Sequence, residues 1–61
     1  MKQYRLEFKN IYYSGVCCYR YDNAKEAISE AEEIAEIETV TSVTLLKRKQ
    51  NGRFGVIKRF K

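Results

Sequence analysis

Residues 45–61, LLKRKQNGRFGVIKRFK, hold seven basic side chains and no acidic one. They are Lys47, Arg48, Lys49, Arg53, Lys58, Arg59 and Lys61. Cationic groups set this densely are either a binding site, able to neutralise phosphates, or only the solvated side of a hairpin. The residue types that make and break bonds are not assembled in the same way. There is no histidine, so the usual general base is missing. Ser14, Ser29 and Ser42 have no adjacent activating partner, and Gly15, Gly52 and Gly55 are not spaced as a phosphate-binding loop. Cys17 and Cys18 are neighbours, and Cα atoms about 3.8 Å apart are too close for a relaxed disulfide. Two cysteines without a histidine do not make a zinc set. A reactive thiol beside Arg20 is the sharper reading of this pair, and two small strand hydrophobes is the expected one. The expectation is a non-catalytic protein with no cofactor and no metal.

Charge is segregated along the chain. Residues 23–38 carry six glutamates and one lysine, a net of −5, and the remainder carries eleven basic and two acidic groups, a net of +9. The sum is the formal +4. Within the acidic segment, Glu26–Glu30 and Glu32–Glu36 are like charges four apart, which costs a helix a few tenths of a kcal/mol per pair. Solubility, compensation by sheet lysines, or imitation of nucleic-acid phosphates would each explain such a segment.

The elements that must position these charges follow from periodicity. KQYRLEFK alternates strictly, with Tyr4, Leu6 and Phe8 on one side, which predicts a half-buried strand. Asn10, Ser14 and Gly15 predict a turn, and VCCYRY a second strand. Asn23 followed by Glu26 is a capping box opening a helix, with Ala24, Ala27, Ile28, Ala31, Ile34 and Ala35 on one stripe. The β-branched run TVTSVT starts a third strand. Gln50-Asn51-Gly52-Arg53 predicts a two-residue type I′ hairpin turn, and RFGVIKRF is the fourth strand.

The resulting order is ββαββ: an α+β fold with a four-stranded, mostly antiparallel sheet and one helix on one face. Residues 1–61 are expected to form a single domain, without linker, repeat or low-complexity segment. No apolar run reaches the roughly 18 residues of a membrane span, and the N-terminus lacks the apolar region of a signal peptide. A cytoplasmic protein is the expectation. The element order resembles that of the small immunoglobulin-binding domains of streptococcal protein G. That likeness implies first and last strands as parallel neighbours at the sheet centre. It rests on element order alone, so no function comes with it.

A two-residue turn sets the register of the second hairpin: Lys49 opposite Phe54, Lys47 opposite Val56, Leu45 opposite Lys58, Val43 opposite Phe60. The apolar set of Val43, Leu45, Phe54, Val56 and Phe60 then turns toward the helix, with Tyr4, Leu6, Phe8, Cys17, Tyr19 and Tyr21. All five arginines fall on the uncovered side, interleaved with Val16, Cys18, Leu46 and Ile57, where Leu46 and Ile57 face each other. Lys47, Lys49 and Lys58 fall on the helix side, their stems running past the core edge.

Arginine mixed with aliphatics is the composition of an interface, whereas a plain solvated sheet face is the bland alternative. The expected function is therefore a small binding protein. Its partner is another protein or a second copy, engaged through Arg5, Arg20, Leu46, Arg48, Arg53, Ile57 and Arg59. Chains of this size and style are similar to accessory proteins of phages and mobile elements. The alternative is a DNA- or RNA-binding module using Lys47, Arg48, Lys49, Arg53, Lys58 and Arg59. That alternative lacks a stacking platform, since only Tyr12 and Tyr13 are expected to be free aromatics. No membrane contact is expected.

Overall fold

Period-two alternation and one helical stripe give four strands and one helix in the computed structural model, which describes residues 2–61. The elements are β1 (Tyr4–Asn10), β2 (Cys17–Tyr21), α1 (Ala24–Ala35), β3 (Val40–Arg48) and β4 (Phe54–Arg59). The fold is α+β. Its single sheet has the order β2-β1-β3-β4, and every neighbouring pair is antiparallel. The order implied by the protein G likeness is thereby corrected: β1 lies against β3, and β4 is an edge. The inward positions explain the choice. β3 supplies Val43 and Leu45 opposite Phe8 and Leu6, whereas the last strand offers Gly55 opposite Lys47, Lys58 opposite Leu45, and Phe60 bonded to Val43 at the margin of the core. A central β4 would have put Lys58 beneath the helix in the place of the fully buried Leu45.

β2 and β3 both run antiparallel to β1, so α1 crosses over β1 between two parallel strands. Asn23 caps the helix as expected, its Oδ1 accepting from the Glu26 amide at 2.8 Å. The last turn tightens, with the Glu36 and Ile37 amides donating to the carbonyls of Glu33 and Ile34. Lys61 Nζ donates to the Ile37 carbonyl at 2.9 Å and so adds a cation beyond the helix C-terminus. Ala27, Ala31 and Ile34 pack on Leu6, Val40, Val43 and Leu45. Alanines on the contact stripe let the helix lie close to the sheet. Ile28 departs from its expected place, being 37% exposed on the flank of the stripe. Tyr19 keeps the helix-side parity but is half exposed at the sheet edge, its ring 5.5 Å from that of Phe8.

The second hairpin departs from its predicted geometry. The Gly52 amide donates to the Lys49 carbonyl at 3.0 Å, and the Lys49 amide to the Arg53 carbonyl at 2.7 Å. Gly52 has φ +85°, and no non-glycine among the described residues has positive φ. This is a three-residue loop, a turn followed by a left-handed glycine, and not the type I′ turn. Asn51 supplies the reason: its Oδ1 accepts from the Arg53 amide at 2.9 Å. That local bond holds asparagine out of the left-handed region the shorter turn requires. The register slips by one, giving Arg48 opposite Phe54, Lys47 opposite Gly55 and Leu46 opposite Val56. A bulge at Ile57 absorbs the slip, and Leu45 then faces Lys58 as expected.

Candidate interaction face

The slipped register rewrites the sheet face that α1 leaves open. Four strands with matched registers place Arg20, Arg5, Leu46 and Val56 in one row across the sheet. The adjacent row reads Cys18, Glu7, Thr44, Arg59. Arg48 and Phe54 form a pair beyond the first row, and Lys9 and Ser42 a pair beyond the second. Strand neighbours lie about 4.8 Å apart, so the side chains of each row stand side by side on one surface.

Of the seven residues proposed from sequence for partner contact, Arg5, Arg20, Leu46, Arg48 and Arg59 come together on this face. Arg53 does not: it closes the loop opposite Lys49 and carries the parity opposite to Phe54. Ile57 does not face Leu46 either, because it is the extra residue of the bulge and Val56 takes its place. Phe54 and Val56, expected in the core, lie on the open face instead. The signal that would have found them is the capacity of Asn51 to bond the backbone two residues on, which selects the longer loop. The six cations of the nucleic-acid alternative divide between faces. Arg48 and Arg59 are open-facing, whereas Lys47 and Lys58 share the helix side with the Tyr4 and Phe60 rings, 5.7 and 4.9 Å away. Lys49 packs over Gly55, where a Cβ would collide with its side chain.

Phe54 changes the chemistry of the face. The guanidinium carbons of Arg48 and Arg5 lie 4.7 and 5.7 Å from its ring centroid, contacts worth about 0.5–1 kcal/mol each at such sites. Arg48 also donates from Nη1 to the Gly52 carbonyl at 3.2 Å. The Nε atoms of Arg5 and Arg48 are buried, and neither has a hydrogen-bond partner among the described residues. Arg5 Nε does approach Glu7 Oε2 at 3.0 Å, but without hydrogen-bond alignment. With both side chains about one-third exposed, that ion pair contributes little.

It is also the only ion pair among the described residues. Arg5 and Arg20 stand directly opposite each other on β1 and β2, a destabilising arrangement for like charges. No helix glutamate is bridged to a sheet lysine among those residues, so compensation by sheet lysines, one of the three explanations for the acidic segment, finds no ion pair there. Both charged surfaces are left for solvent or a partner. Toward the C-terminal end of β1 the open face dips into a groove of about 240 Å³, lined by Glu7, Lys9, Ser42, Thr44 and Arg59 among others. Beyond it, the β1–β2 loop exposes Tyr12 and Tyr13, at 74% and 67%, as the sequence suggests.

No family model matches the chain, and comparison with curated proteins and with solved structures gives no match. Among the described residues no helix is long and apolar enough to cross a membrane.

Proposed function

We propose that this chain is a non-catalytic binding protein that docks a partner protein on the open face of its sheet. The observation that supports the reading is the row Arg20–Arg5–Leu46–Val56, with Phe54 beside it. Aliphatic and aromatic groups flanked by guanidiniums resemble the centre and rim of a protein interface. An acidic partner fits better than a second copy. Two such faces brought together would each present Arg5, Lys9, Arg20, Arg48 and Arg59 against a single Glu7, so like charge opposes the pairing.

A nucleic-acid reading gains one specific support, because Phe54 puts an aromatic on the open sheet. A lone ring already covered by two arginines is a poor stacking platform, and Leu46 holds the middle of the row.

The test is capture from a cytosolic extract with and without nuclease, comparing the wild-type chain with Leu46→Asp and Arg48→Glu. Nuclease-resistant capture abolished by Leu46→Asp and weakened by Arg48→Glu is the expected result. Capture indifferent to Leu46→Asp overturns the docking face. Nuclease-sensitive binding with a log–log salt slope of about −4, for roughly five phosphates, selects nucleic acid instead.

A further inference from the structure

Arg5 and Arg48 approach one ring from two strands. Each places its guanidinium near Phe54, each has a buried Nε without a hydrogen-bond partner among the described residues, and Arg48 is tied again through the Gly52 carbonyl. A guanidinium fixed in this way has already lost much of the rotamer freedom that binding would remove. Its remaining donors are the terminal Nη groups, whose planar fork matches a carboxylate. Arg20 adds a second cation directly across from Arg5. Beside these groups stand Leu46 and the half-exposed Val56. The face thus offers fixed oxyanion donors next to an aliphatic step.

We infer that Arg5 and Arg48, held against Phe54, form a carboxylate clamp, and that its occupant is a protein segment carrying acidic and leucine-like side chains side by side. This rests on the protein-docking reading above. Glu7 shows the preference in miniature: its carboxylate sits 3.0 Å from the buried Arg5 Nε, poorly aligned, which leaves the terminal Nη groups to a partner carboxylate. The charge of the face selects an acidic segment. Leu46 and Val56 require that the segment also bring apolar groups, which a plain polyanion does not. Phe54 is a positioning residue in this account, acting through the two arginines.

Fluorescence anisotropy tests the clamp with three labelled probes of equal length: a synthetic Glu/Leu peptide, a Glu/Ser peptide of the same charge, and oligothymidylate. The wild-type chain is expected to bind the Glu/Leu peptide about tenfold more tightly than either other probe. Phe54→Leu and Arg48→Lys both keep the net charge. Each is expected to lose about tenfold in affinity for the Glu/Leu peptide while the salt dependence stays as it was. If Phe54→Leu fails to fold by circular dichroism, Arg48→Lys decides alone. Wild-type affinity in the folded charge-conserving variants overturns the clamp. Equal binding of the Glu/Ser peptide, or no binding of the Glu/Leu peptide at low salt, overturns the occupant. Tighter binding of oligothymidylate overturns the partner class. The docking reading fails separately, through capture that ignores Leu46→Asp, so the two failures are distinguishable.

Discussion

Tyr21 shows how single residues register the layered charge of this molecule. It ends β2 under the start of the helix, and its phenol is raised above its ordinary value. Burial is the first cause, the nearby Glu30 carboxylate the second, with smaller contributions from Tyr19 and Glu26. Both main causes penalise the phenolate. A folded-state value above the unfolded one means that the unfolded chain ionises first. The stability carried by neutral Tyr21 is therefore fully present below the unfolded value of about 10 and is lost as pH rises through the folded value. Urea melts across the alkaline range should show this loss, and Tyr21→Phe should flatten it. An alkaline limb unchanged in Tyr21→Phe would assign the loss to other groups. Phe54 teaches the complementary lesson. Its position in an alternating apolar run reads as core, yet its cross-strand partner is Arg48, and the partner decides its face.

Strand and helix identity were legible at the scale of the element, because period and capping are local properties. Asn23 and Glu26 mark the helix start, and the alternation around Leu6 marks β1, with bonds and burial as expected. Register was less legible, because it hangs on one side-chain bond. Asn51 accepts from the Arg53 amide, the loop gains a residue, and everything between the turn and the Ile57 bulge changes sides. Parity is restored beyond the bulge, which is why Leu45–Lys58 was correctly placed and Leu46–Ile57 was not. The loop geometry makes Gly52 the demanding position, at φ +85°. Nothing lies within 4 Å of a Cβ built there, so a substitution meets backbone strain alone. Gly52→Val should cost about 1–2 kcal/mol or more in chemical denaturation. A loss within a few tenths of a kcal/mol of zero would mean that the loop relaxes to another turn. Strand order was hidden as well: the comparison of β3 with β4 depends on the slipped register, which takes Phe54 and Val56 off the helix side.

The whole molecule has two unlike sides, an acidic helix and a basic sheet, with no ion pair between them among the described residues. Glu36 caps the helix at its negative end, and the last turn holds no basic residue, so the helix carries its charge at some cost to its own stability. The arginines opposite one another on β1 and β2 do the same for the sheet. Both costs sit in a chain of 61 residues, a size with little stability to spare. The proposed docking function would account for the sheet side. Which side binds is the central matter, and amide chemical shifts read it residue by residue. A ¹⁵N–¹H titration of the intact chain with the Glu/Leu peptide should move Arg5, Arg20, Leu46, Arg48, Phe54 and Val56 while leaving Lys25–Glu33 in place. Shifts confined to α1 or to the Tyr12–Val16 loop would contradict the account.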